Sequence, residues 1–197
     1  MEKPNRNEIQ TRTLKGFSTD YTARSDDGNP VIEGYFSVYN SVYDIAPGMS
    51  ESIAPGAFHN SLSNDIRMLV NHDTTLVVGR SSAGTLTLRD DTHGLWASAQ
   101  VNPKDSAAMD AHARVERGDV SQASIGFNII HEDTEIREDG SVHWTITEAE
   151  LVEVSVCTFP AYTETNVSAR SKQKEEMEKR KLSTWKEQAK ARLSKWH

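Results

Sequence analysis

Three short clusters hold the residue types from which hydrolytic chemistry is built. They are Asn71-His72-Asp73, residues 121–127 (SQASIGF) and residues 148–155 (EAELVEVS). Hydrolysis by an activated hydroxyl needs the hydroxyl itself, a base that removes its proton and a partner that orients the base. Imidazole suits the role of base because its proton comes off near neutral pH. A histidine, a serine and a carboxylate on three strands meet the need. Residue types alone are a weak signal, since any chain of this length offers such triples.

Alternation along the strands narrows the choice. With a period of two, Ser121, Ala123, Ile125, Phe127 and Ile129 share one apolar face, and Ser124, Gly126 and Asn128 share the other. Ser124 is therefore the candidate nucleophile, with Gly126 leaving room for the close approach of a substrate backbone. In the late cluster Glu153 shares its parity with Leu151, Ser155 and Cys157, while Glu150 falls with Val152, Val154 and Val156. Glu153 is the candidate partner of His72, with Glu150 as the alternative. Cys157 is a rival nucleophile, although its neighbours Val154, Val156 and Phe159 suit a buried structural thiol better. His59, His93, His112, His131, His143 and His197 lack the spacing of metal ligands, so neither a metal nor another cofactor is expected.

These residues need strands to hold them. Residues 31–40 (VIEGYFSVYN) are β-branched and aromatic, and residues 66–71 (IRMLVN) read as a strand leading directly to His72. Residues 76–80, 84–89 and 94–101 are short β-like runs separated by Gly, Asp and Ser, as in a barrel or sandwich. Pro55 should open a short helix reaching about Leu62. Asp105 or Ser106 should cap a helix running to about Arg117, with Gly118 just past its end. Strand pattern returns at residues 120–131, and residues 142–159 hold two more β-like stretches. Residues 177–196 differ in kind: Leu182, Trp185, Ala189, Leu193 and Trp196, spaced by three and four, predict an amphipathic helix.

Composition bounds the class. The chain has 197 residues, 36% of them hydrophobic, and a mean hydropathy of −0.62. No apolar run reaches the ~20 residues of a membrane helix, and the first residues lack an apolar signal region. A cytosolic protein with no membrane role is expected. The single cysteine excludes an internal disulfide and a thiolate zinc cage. The net charge of −7 is uneven: residues 169–197 carry ten Lys or Arg against four Glu, leaving the rest strongly acidic. An acidic body argues against nucleic acid as its partner, while the basic tail suits docking on an acidic surface.

Several segments, taken in order, resemble the prohead proteases of tailed bacteriophages, serine peptidases related in fold to the herpesvirus assemblins. They are Ile32-Glu33-Gly34-Tyr35-Phe36, Ile53-Ala54-Pro55-Gly56-Ala57-Phe58, Met68-Leu69-Val70-Asn71-His72-Asp73, Val78-Gly79-Arg80 and Gly84-Thr85-Leu86. The series continues with Ser124-Ile125-Gly126-Phe127 and with Glu153-Val154-Ser155-Val156 leading to Pro160-Ala161. Each piece is weak, but their order and spacing over about residues 14–165 are specific. The resemblance implies a mainly β fold with flanking helices, a closed or nearly closed β-barrel of the assemblin type over residues 14–168. A flexible segment precedes it at 1–13, and a basic amphipathic helical tail follows at 169–197. By motif His72 and Ser124 take the catalytic places, and Glu153 takes the third, where assemblins use a second histidine.

The implied function is a serine endopeptidase of capsid maturation. It would cut the scaffolding segment of the phage major capsid protein, and itself, inside the immature capsid in the host cytoplasm; a homo-oligomer is compatible with this. The competing reading is a non-enzymatic assembly or scaffolding protein, an acidic β-body with a basic docking helix.

Overall fold

The computed structural model describes residues 9–13, 21–26, 29–159 and 164–193. Its contacts divide the chain into Met1–Tyr162 and Thr163–His197. The described part of the first unit holds β1 (Gln10–Thr13), β2 (Tyr21–Asp26), β3 (Asn29–Val38), β4 (Tyr43–Ala46), β5 (Met49–Ile53), β6 (Arg67–Val70) and β7 (Asp73–Arg80). It continues through β8 (Leu86–Asp90), β9 (Gly94–Gln100), helix α1 (Ser106–Arg117), β10 (Gln122–Ile136) and β11 (Val142–Cys157). The fold is mainly β, and β1 shows that the N-terminal segment ends in a paired strand.

Helix α1 sits where its caps predict. Asp105 accepts hydrogen bonds from the N–H groups of Ala107 and Ala108 at 3.0 and 3.2 Å. Gly118 ends the helix in the left-handed region at φ 86°. Such an acidic cap is worth about 1 kcal/mol.

The strands build two sheets. The larger runs β1-β10-β11-β5-β4, with β6 on β11 and β7 on β6; the smaller runs β2-β3-β9-β8. β11 is the spine of the larger sheet. Its first half pairs in parallel with β5, its second half in parallel with β6, and β10 runs antiparallel along all of it. Ile32, Phe36, Leu95, Ala97 and Ala99 of the smaller sheet join Ala123, Ile125, Phe127, Val154 and Val156 of the larger in one apolar core. Phe58, Ile66 and Met68 complete it, each fully buried.

Three expectations need correction. The described strands do not close into a barrel, because the smaller sheet shares no ladder with the larger and the two meet through side chains. Residues 142–159 contribute one strand rather than two stretches. The polar residues Thr147, Glu148 and Glu150 interrupt the apolar pattern there, but pairing with β10 carries the strand through them. The helix expected at residues 55–62 shrinks to a single 3-10 turn at His59–Ser61. Its carbonyls are drawn to β11 instead: the Ala57 carbonyl accepts from the N–H of Ala149 at 2.8 Å. Ser61 Oγ, in turn, accepts from the N–H of Leu151 at 3.0 Å.

The second unit holds helix α2 (Glu164–Leu193). Its apolar stripe is confined to its last part and does not make the whole helix amphipathic. Glu175 and Glu178 stand seven residues before Leu182 and Trp185, hence on the same side. Leu182 and Trp185 are exposed, and Trp196, the last member of the expected stripe, lies outside the described residues.

The division of the chain yields a direct test. Truncation after Tyr162 should leave the first unit folded, with one cooperative thermal transition by circular dichroism. Loss of that transition would make α2 part of the body.

Candidate active site

His72 stands at the tip of the hairpin between β6 and β7. Val70 pairs with Asp73, so Asn71 and His72 form a two-residue turn. Both take positive φ, 52° and 62°, as such turns require to match the twist of their strands. Asparagine tolerates this conformation; for histidine it costs about 1–2 kcal/mol. The neighbouring strand end offsets that cost. The N–H of Asn71 donates to the Val156 carbonyl at 2.9 Å, and Asn71 Oδ1 accepts from the N–H of Thr158 at 2.9 Å. The turn is thereby stitched onto the end of β11.

β11 brings the carboxylate. On β10 and β11, Phe127 lies opposite Leu151 and Gly126 opposite Glu153, so Val152 is an extra residue at a bulge. Leu151 faces the core, and the bulge turns Glu153, Ser155 and Cys157 to the other side. The simple parity of the sequence fails at this point, because Leu151 and Glu153 lie on opposite faces. Glu150, expected opposite Glu153, shares its side of the sheet. It is exposed, and Asn128 Nδ2 donates to its carboxylate at 3.2 Å.

Gly126 has a different use from the one its position suggests. A Cβ there would run into Glu153, meeting its carboxylate oxygen and lying 3.1 Å from Cδ. The missing side chain makes room for the carboxylate of this same chain rather than for substrate.

The result is an oriented imidazole. His72 Nδ1 lies 2.6 Å from Glu153 Oε1, with both side chains largely withdrawn from solvent. The carboxylate accepts the Nδ1 proton, so the lone pair of the neutral ring lies on Nε2. Ser155 Oγ donates to the second oxygen of Glu153 at 2.5 Å and accepts from the backbone N–H of His72 at 3.2 Å. Burial works against the imidazolium. The hydrogen bonds that the imidazolium gives to Cys157 and Glu153, together with the carboxylate's charge, outweigh it and hold the His72 pKa above its ordinary 6.5. Nε2 lies 3.8 Å from Cys157 Sγ. Asn71, His72, Cys157, Thr158 and the exposed Phe159 line an open cleft of about 340 Å³.

Ser124 lies directly across from Ser155 and two residues from Gly126, so it shares the face that carries Glu153. That face was expected to be open, yet Ser124 is fully buried. On its other side Ser124 pairs with Thr13 of β1. Ser121 lies outside β10, before its first residue. Cys157 is buried as expected, but it is also the residue beside Nε2. Sequence reasoning gave no role to Asn71, Ser155 or Thr158. The Asn-His pair before Asp73 carries the signature of a two-residue turn, which could have identified the first of these.

The geometry predicts how activity responds to pH. Only neutral imidazole can accept a hydroxyl proton, and a raised pKa keeps His72 charged to higher pH. The acid limb of the pH–rate profile should therefore have its midpoint above 6.5. Glu153→Gln should lower that midpoint and cut turnover on the order of 10²–10⁴-fold, while Glu150→Gln leaves both near the parent values. The reverse ranking would transfer the orienting role to Glu150. Gly126→Ala should mimic Glu153→Gln by expelling the carboxylate, costing at least about 10²-fold. Parent-like turnover of the alanine variant would contradict the packing of Glu153 over β10.

Comparison with known proteins places the chain in a family. The family described as the caudovirus prohead serine protease matches residues 16–180. The prohead protease of Enterobacteria phage HK97 is 34% identical over 162 residues, 80% of this chain and 68% of that protein. The structure of the bacteriophage T4 capsid assembly protease aligns with a TM-score of 0.46 and 11% identity, covering 76% of this chain and 97% of that one. With most of its length matched by the family, the chain belongs to the caudovirus prohead serine proteases and is a bacteriophage protease of capsid maturation.

Proposed function

We propose that Ser124 is the nucleophile of this protease, His72 its general base and Glu153 the carboxylate that orients the base. The observation that carries the reading is the 2.6 Å hydrogen bond from His72 Nδ1 to Glu153, on the face that also bears Ser124. Ser124 Oγ attacks the peptide carbonyl carbon as its proton passes to His72 Nε2. The tetrahedral oxyanion then collapses, and the imidazolium returns the proton to the leaving amine. Glu153 stabilises the imidazolium and keeps the proton-bearing nitrogen turned away from the reaction. Water, activated in the same way, releases the acyl group.

The substrates are the scaffolding segment of the phage major capsid protein and the chain itself. The reaction takes place inside the immature capsid in the host cytoplasm. The names of the HK97 and T4 relatives, a prohead protease and a capsid assembly protease, support this setting. The basic residues 169–197, with exposed Leu182 and Trp185, serve as a docking element for an acidic partner surface. The thiol beside Nε2 supports a second reading, in which Cys157 attacks with the same His72–Glu153 pair. Undiminished turnover in Cys157→Ala would discard it.

Ser124→Ala tests the first reading. The change removes one hydroxyl, yet turnover should fall on the order of 10⁴-fold or more, and the full-length chain should accumulate at its uncut mass in intact mass spectrometry. Ser121→Ala should still process itself. Equal processing by Ser124→Ala and the parent would overturn the assignment and reopen Ser121, Cys157 and the non-enzymatic assembly role.

A further inference from the structure

The hydrogen bonds around His72 form a closed circuit through a residue outside the proposed triad. The backbone N–H of His72 donates to Ser155 Oγ at 3.2 Å, and Ser155 Oγ–H donates to Glu153 Oε2 at 2.5 Å. Glu153 Oε1 accepts from His72 Nδ1 at 2.6 Å. The directions are forced. A hydroxyl that accepts from an N–H has one proton left to give, and the carboxylate can only accept. Both ends of His72, its main chain and its ring, are thus tied to one buried strand segment. That matters for a histidine in a left-handed turn, φ 62°, a conformation that costs free energy in a residue with a side chain.

We propose that Ser155 is a positioning residue of the protease: its hydroxyl fixes the rotamer of Glu153 and the turn conformation of His72 together, and so sets the aim of the imidazole. This rests on the reading of His72 and Glu153 as base and orienting carboxylate. The Ser155 proton is committed to Glu153, so in this circuit the hydroxyl holds the pair in place rather than attacking substrate or shuttling a proton. Its alternation on β11 gives the reason for the spacing Glu153-Val154-Ser155. Val154 points into the core, and the two polar residues flank it on the site face.

The hydroxyl also moderates the field at His72. A donor to the carboxylate shares its negative charge, so the imidazolium feels less of it. Removing the donor should raise the His72 pKa further, while loosening the geometry that proton transfer requires.

The test uses the full chain and a fluorophosphonate probe, which phosphonylates an activated serine with loss of fluoride and needs no known peptide substrate. In Ser155→Ala the limiting phosphonylation rate should fall about 10²-fold, with apparent probe affinity within twofold of the parent. The acid limb should move to higher pH, and the low-field NMR proton of the His72–Glu153 hydrogen bond should shift or broaden. A parent-like rate overturns the proposal. So does a slowed rate with an unchanged pH profile and low-field proton, because that pattern is structural. His72→Ala and Glu153→Gln separate the two levels: if either is phosphonylated like the parent, the reading of the site fails instead. If the alanine variant melts below assay temperature, Ser155→Thr and Ser155→Cys carry the test. Threonine retains the donor and should keep the parent pH profile, and cysteine, a weak donor, should not. A cysteine variant with the parent profile overturns the proposal.

Discussion

The site depends on one short hydrogen bond, from His72 Nδ1 to Glu153. Its two ends come from parts of the chain 81 residues apart, and each end is held in a conformation that its own segment would not choose. His72 sits in a left-handed turn. Glu153 faces away from the core only because a bulge at Val152 resets the alternation of β11. Remove either distortion and the carboxylate and ring point past one another.

The cost of these distortions is met by neighbours rather than by the pair itself. A hydrogen bond contributes roughly 0.5–1.5 kcal/mol net, about the size of the strain at His72. The ties from Asn71 to Val156 and Thr158, and from Ser155 to the His72 main chain, are therefore enough to offset it. Gly126 contributes by having no side chain. In a sheet this tightly packed, a methyl group in its place would take the volume that Glu153 occupies.

Burial shapes the chemistry of the pair. A carboxylate beside an imidazole strengthens the base when both are shielded from water, and the same shielding penalises the charged ring. In His72 the carboxylate and the hydrogen bonds win, which holds the pKa of the ring above its ordinary value. The long strand β11 supplies most of this environment, since one face of its second half carries Glu153, Ser155 and Cys157 while the other carries Val154 and Val156 into the core.

Much of this was legible in the sequence, because local rules decide it. Capping marked α1 at both ends. β-branched and aromatic runs marked β3, β6 and β9, and ordered motifs carried the family and singled out His72 and Glu153, which the fold brings into contact. Strand alternation alone could not find the bulge at Val152, which depends on how β10 and β11 pair. It therefore put Glu150 on the wrong face. It read Gly126 as room for substrate, since the side chain that fills that space arrives from another strand. It could not show that Ser155 bonds to Glu153 and to the His72 main chain, because those contacts arise only once β6 and β11 are paired. Closure of the strands into two sheets rather than a barrel, and the burial of Ser124, were likewise decided by pairing between distant segments. Sequence determines what each strand and turn can do; which atoms meet across a sheet is settled only when register and bulges fix the distances.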